Sequence, residues 1–274
     1  MKEKQTDEEK QQIVMGLVMM DDAMFEAMCQ SQDFVEELLQ TILNEPKFRI
    51  IRGTLVPQKS VKNLRGRSIR MDAYVEGKED SAFNIEVQKA DDCNHVKRVR
   101  YNASVITSHN SQPGDTFDNI QKLCMVYISK KDFFGKGRNI YHAQTTIAET
   151  GDLVDNGLTE IYVNAEVKDG SRVSALMDVF NKKELSDADK KEFPNTYAKF
   201  NSLKHDKEEV SKMCDKIQQY ADRFEKKGYI KGAIEVYVEE TNLSEEAIVS
   251  KLVKRFGITE EDALDYYDEV MAVK

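Results

Sequence analysis

IRMDAYVEGKEDSAFNIEVQK, residues 69–89, is the stretch on which the reading of this chain turns. Ile69, Met71, Ala73 and Val75 alternate with Arg70, Asp72, Tyr74 and Glu76; Phe83, Ile85 and Val87 alternate with Asn84, Glu86 and Gln88. Alternation of apolar and polar residues is the period of a β-strand. Gly77 to Ser81 is polar and flexible enough to be the hairpin loop between two such strands. Side chains at i and i+2 leave a strand on the same side. Glu86 and Gln88 therefore share a face, and Asp72 leaves a strand that pairs beside them. Two carboxylates and a carboxamide converge on one side of the predicted sheet, with apolar side chains on the other. Oxygen donors so placed suit Mg²⁺, with Mn²⁺ as the alternative. Mg²⁺ takes one or two carboxylates and completes its octahedron with water and phosphate. Asp72 and Glu86 would supply two oxygens and the Val87 carbonyl a third. The same spacing also describes a strand-end carboxylate beside a solvated sheet face, and spacing alone leaves both readings standing.

Upstream, Lys47 to Arg70 holds eight basic residues (Lys47, Arg49, Arg52, Lys59, Lys62, Arg65, Arg67, Arg70) and no acid. A first strand is expected from about Phe48 to Val56, then a basic loop, Lys59 to Ser68, leading into the Asp72 strand. Lys and Arg provide much of the affinity for a phosphate backbone. Arg65, Arg67 and Arg70 are the expected nucleic-acid contacts, with a solvated loop balancing acidic ends as the alternative. Earlier still, Ile13 to Cys29 reads as helical with a break near Asp21-Asp22. Asp33 is the expected N-cap of a helix with Phe34, Val35, Leu38, Leu39, Ile42 and Leu43 on its core side and Glu36 and Glu37 outside. Pro46 ends it.

Downstream, a helix is expected from His95 to Ser108, carrying Lys97, Arg98 and Arg100, with His95 and His109 at the surface. Lys122 to Ile128 is a continuous apolar run, the pattern of a buried strand. Ile140 to Glu149 and Thr159 to Asn164 would form an outer hairpin, giving a sheet of about four or five strands. Beyond Gly170 the chain reads as helical: Ser174 to Phe180, Asn195 to Leu203, and His205 to Lys227, interrupted or bent at Gly228 to Gly232. Ser244 caps a further helix that Gly257 ends, and Thr259 starts the last. The expected domains are 1–170, an α/β core, and 171–274, a helical extension acting as a packing or homo-oligomer element.

Of 274 residues, 40% are hydrophobic, enough for a sizeable core, and the net charge of -9 argues against a protein that coats DNA while permitting a local basic cleft. No apolar run has transmembrane length. Met1 to Gln12 is polar and acidic, unlike a signal peptide. Cys29, Cys93, Cys124 and Cys214 are far apart, which disfavours a zinc site or a disulfide framework and makes the cytoplasm the expected location. The four histidines sit in no motif for nucleophilic hydrolysis.

Asp72, thirteen residues, then Glu86-Val87-Gln88 resembles the PD-(D/E)XK nuclease motif. The wider set is similar to the Rpn family of recombination-promoting nucleases, the PD-(D/E)XK nuclease family transposases. It comprises Met20-Asp21-Asp22-Ala23-Met24-Phe25, Lys62 to Ser68, Arg70-Met71-Asp72, Asn84 to Gln88 and Lys97-Arg98-Val99-Arg100-Tyr101. Ile140-Tyr141-His142, Ile147 to Gly151 and Ile161 to Asn164 extend it. The resemblance implies a restriction-endonuclease-like α/β fold, a central mixed sheet flanked by helices, with a helical C-terminal extension. It implies a metal-dependent DNA endonuclease with Asp72 and Glu86 on the metal, Gln88 positioning water or phosphate, and Arg98 supplying charge. Arg100 joins the expected nucleic-acid contacts, and Glu36 or Glu37 would be the helix-borne acid that many such folds add to the metal site. Met71 stands where the motif has proline and Gln88 where it has lysine. Glutamine offers hydrogen bonds but no charge. That departure keeps open a nucleic-acid-binding protein that retains the fold without cleavage. The C-terminal helices keep open an interaction protein.

Overall fold

A computed structural model describes residues 6–61, 68–78, 80–90, 94–240 and 243–271. The strands are β1 (Val56–Pro57), β2 (Ser60–Val61), β3 (Ile69–Arg70), β4 (Ala73–Gly77), β5 (Ser81–Gln88), β6 (Lys122–Ser129), β7 (Ile140–Ala143) and β8 (Leu158–Asn164). Six form one mixed sheet in the order β1-β4-β5-β6-β8-β7, and β2 pairs with β3 separately. β4 and β5 make the expected antiparallel hairpin, closing at Gly77↔Ser81. β5, β6 and β8 run parallel, and β7 returns antiparallel on β8 as the outer hairpin. The sheet exceeds the expected four or five strands because β1 adds a two-residue edge. The strand expected from Phe48 to Val56 shrinks to that edge and one bridge, Ile50↔Gly77. The strand expected from Ile69 to Val75 is broken at Met71-Asp72, between β3 and β4.

β5 is central and buried on both faces, so the solvated face that alternation allowed does not exist. Phe83, Ile85 and Val87 are buried on one side; Asn84 and Glu86 are 1% and 3% exposed on the other. Parallel strands of this kind are covered by helices on both faces. α4 (His95–Asn110) covers the Glu86 face through Val99, Ala103 and Ile106, which join Met125, Tyr127 and Tyr162 in one apolar cluster. α2 (Asp22–Met28) packs against β5 as well.

The helices α1 (Asp7–Gly16), α2 and α3 (Gln32–Ile42) precede the sheet. Ser31, not Asp33, caps α3: its hydroxyl accepts from the Phe34 N–H at 3.3 Å. Glu36 and Glu37 are not on an outer side but buried at 8% and 5% exposure, because α3 is covered by α5 (Arg172–Phe180) and α7 (Pro194–His205). Phe25, Phe34 and Phe180 meet at ring-centroid distances of 6.0–6.3 Å in this helical layer. α6 (Asp187–Glu192) packs on α7.

The chain divides into two compact units, the first ending at Cys214 and the second beginning at Asp215. The change of sequence character near Gly170 falls within the first unit. The second holds the end of α8 (Lys207–Glu240), α9 (Glu245–Phe256) and α10 (Glu260–Met271) around Ile230, Ile234, Ile248, Leu252 and Ala263. α8 runs unbroken through Gly228 and Gly232, overturning the expected interruption, since a helix interior tolerates glycine at a cost of only about 1 kcal/mol. Gly257 adopts φ 60, the left-handed C-cap that glycine takes without strain. Among the described residues no helix is long and apolar enough to cross a membrane.

Candidate active site

Asp72 occupies the break between β3 and β4, and neighbouring backbone holds the break open. The Met71 N–H donates to Lys59 O at 2.9 Å and the Gln58 N–H to Asp72 O at 3.0 Å. The Asp72 carboxylate turns toward the adjoining strand, where its Oδ2 accepts from the Val87 N–H at 2.9 Å. Its Oδ1 lies 3.4 Å from Gln58 Nε2. Gln58 itself has φ 54, a left-handed backbone uncommon for a residue with a Cβ. Burial is the main reason the Asp72 pKa is pushed up from 3.8 to about 7; the Val87 N–H opposes it, Glu86 and Asp22 add to it, and Arg98 opposes it.

Glu86, two residues from Gln88 on the same face of β5, points under α4. Arg98 and Asn102 are four apart on that helix and so lie one above the other on its inner stripe. Asn102 Nδ2 donates to Glu86 Oε1 at 2.6 Å, and Asn84 Nδ2 donates to the same oxygen at 3.1 Å. Arg98 Nε stands 3.5 Å from Glu86 Oε2, and Arg98 NH1 donates to Gln88 Oε1 at 3.0 Å. Glu86 Oε2 is buried and accepts no hydrogen bond. A buried carboxylate oxygen left in that state is costly unless something else meets it.

Asp72, Glu86, Val87, Gln88 and Arg98 are therefore brought together by β4, β5 and α4. Arg98 both pairs with Glu86 and bonds Gln88. Arg70 is exposed and pairs with Glu26 at 3.7 Å, and Arg100 is exposed on α4. Arg65 and Arg67 lie outside the described residues, as does Cys93; Cys29, Cys124 and Cys214 are buried. Glu36 and Glu37 are not in the site. Glu36 Oε2 accepts from the Ile50 N–H at 3.2 Å, with Arg49 and Arg52 each 3.6 Å from its other oxygen. Glu37 accepts from the Asn195 N–H at 3.3 Å, and from the Thr196 N–H and hydroxyl at 2.7 Å each. His95 is buried, not on the surface: its Nδ1 is 2.8 Å from the Tyr127 hydroxyl and its ring stacks on Phe133 at 4.5 Å.

The helix-borne acid near the pair is Asp22, at the start of α2. Its charge bears on Asp72, and its own pKa is raised by desolvation of the carboxyl, then by Asp21, although the residue as a whole is exposed. Adjacent aspartates before a short apolar helix were the available signal. Asn102 and Gln58 had none in sequence, because nothing local tells an amide which strand it will face. Among the described residues no group of three or more His, Cys, Asp or Glu side chains is arranged to hold a metal ion. A cation here would rest on two carboxylates, completed by carbonyl oxygen, water and phosphate, which fits Mg²⁺.

Neither the curated proteins nor the solved structures provide a significant match to this chain. A family model described as PD-(D/E)XK nuclease family transposase matches residues 23–229, which span β1 to β8 and include Asp72, Glu86, Gln88 and Arg98. With that match over more than half of its length, the chain belongs to the PD-(D/E)XK nuclease family transposases.

Proposed function

We propose that this chain is a Mg²⁺-dependent DNA endonuclease, with Mn²⁺ as an alternative ion, acting in recombination or transposition within the cytoplasm. The observation that carries this reading is the buried Glu86 Oε2, without a hydrogen bond and close to a second carboxylate whose ionisation is disfavoured. Bringing a cation to that place favours the ionised form of both acids.

Asp72, Glu86 and the Val87 carbonyl would hold the ion. When bound, it supplies charge stabilisation to the phosphate and lowers the pKa of an attacking water. The chain's own groups do the rest. Asn84 and Asn102 fix the rotation of the Glu86 carboxylate, so that Oε2 faces the site. Arg98 holds Gln88 by its carboxamide oxygen, which leaves the Gln88 amide directed by that bond when it positions water or phosphate. The guanidinium charge of Arg98 offsets charge that develops on the phosphate, the role the motif lysine would otherwise serve. Arg65, Arg67, Arg70 and Arg100 would contact the DNA backbone. The catalytic part would be 1–170, with 171–274 as a helical extension serving any homo-oligomer.

The test is nicking of supercoiled plasmid with Mg²⁺, Mn²⁺ or EDTA, comparing the natural chain with Asp72→Ala and Glu86→Ala. Metal-dependent nicking lost in both variants is the expected result. Nicking that persists in both variants excludes these carboxylates. Gln88 in place of lysine favours a second reading, a DNA-binding protein without turnover; a folded natural chain that binds DNA and cuts under no metal would establish it.

A further inference from the structure

A cleft of about 890 Å³ opens at the end of β5 opposite to Glu86. Ser81 and Lys122, register partners at the first positions of β5 and β6, line it. Glu86 lies five positions along the strand from Ser81, about 17 Å at the rise of a β-strand, so the cleft is separate from the carboxylate pair.

Lys47, Lys78 and Lys122 line this cleft, are exposed, and form no ion pair among the described residues. Arg49 adds a fourth cation, with Glu36 at 3.6 Å. Against these stand Glu45 and Asp155, and Asp155 already accepts from the Gly157 N–H at 3.0 Å. On a chain of net charge -9, four cations around one cavity against two acids is a local reversal of sign. Such a concave site raises the local concentration of anions.

The wall of the cleft is apolar and aromatic. Phe48, half-buried, meets Phe83 edge to face at 5.0 Å and 74°. Phe83 is held from behind: a Cβ at residue 77 would come within 2.7 Å of its ring, so Gly77 is what lets the ring sit there. Leu43 and Leu123 continue the surface. The volume lies within the range of small-molecule pockets, about 300–1,000 Å³. A metal cation is repelled by the rim, and a neutral apolar ligand would leave the lysines unmatched. The complementary ligand has a flat apolar body and more than one negative charge.

We propose that the cleft at the amino ends of β5 and β6 binds a nucleoside phosphate, the base against Phe48 and the phosphates among Lys47, Lys78 and Lys122. That chemistry has two sources, a free nucleotide or one nucleotide of a nucleic-acid strand. The experiment titrates the full chain, in EDTA, into a fluorescent ATP analogue and separately into a fluorescein-labelled single-stranded oligonucleotide, reading anisotropy. The double variant Lys47→Glu/Lys122→Glu is expected to weaken binding at least about tenfold, since it reverses two phosphate contacts. Phe48→Leu, with folding checked by circular dichroism, is expected to weaken it several-fold. Lys183→Glu/Lys191→Glu makes the same charge change on exposed lysines elsewhere and is expected to leave binding unchanged. Sensitivity in the ATP arm assigns the free nucleotide; sensitivity in the oligonucleotide arm alone assigns the strand. No binding of either probe, or equal loss in the two double variants, overturns the proposal. Because EDTA removes the ion and no cleavage is read, this result is independent of the nuclease reading.

Discussion

Glu37 on α3 and Glu86 on β5 are the same residue type, buried to nearly the same degree at 5% and 3% exposure, and are met differently by the protein around them. Glu37 has both oxygens filled. It accepts from the Asn195 and Thr196 N–H groups and the Thr196 hydroxyl, at the start of a helix whose own N-cap, Phe193, has no capping side chain. It is a capping carboxylate supplied from another helix. Glu86 has one oxygen gripped by two amides and the other buried without a hydrogen bond, the Arg98 Nε standing 3.5 Å away as an ion-pair partner. Burial and charge are common to both. What separates a structural carboxylate from a candidate site carboxylate is whether its oxygens are all satisfied by the protein.

Four measurements would break or sharpen that contrast. Glu86→Gln should remove metal-dependent nicking by about 10²–10³-fold, the worth of several kcal/mol of charge stabilisation, while leaving the melting temperature intact. Survival of activity there would dissolve the distinction. Glu37→Gln should do the reverse, lowering unfolding free energy by about 1.5–3 kcal/mol in a urea titration through the lost charge-assisted bonds, with metal affinity unchanged. Asn102→Ala removes the 2.6 Å bond that sets the rotation of Glu86. Partners of this kind are worth about 10–100-fold in metal affinity, which Mn²⁺ titration would read.

The fourth measurement concerns Asp72. Its folded pKa, about 7, is above its ordinary 3.8, so the folded chain keeps a proton that the unfolded chain releases between those values. Stability of the metal-free protein therefore falls as pH rises through that window. Asp72→Asn should raise the melting temperature at pH 8 and leave it unchanged near pH 4. A variant equally stabilised at both would show that desolvation of this carboxyl is not what costs stability.

The hairpin, the buried run at Lys122 to Ile128 and the outer hairpin are legible in the sequence because period-two alternation and continuous apolar runs are local signals. So are the caps at Ser244 and Gly257, whose chemistry acts within one turn. Asp72 and Glu86 are legible as candidates through their spacing and the family resemblance. Amphipathic spacing sets Glu36 and Glu37 outside because it reports one buried stripe, whereas α3 is covered on more than one side. His95 reads as a surface residue because nothing local in the sequence announces the Tyr127 hydroxyl it meets.

Residue order alone carries the strands, the turn between them and the acids on them, since each depends on neighbours a few positions away. Packing decides which carboxylate oxygens the protein fills and which it leaves without a hydrogen bond. The Asn102 amide reaches Glu86 across 16 positions and the Asn195 N–H reaches Glu37 across 158. A carboxylate is capped or left open by groups that only the folded chain brings within hydrogen-bond distance, and that distance decides its chemistry.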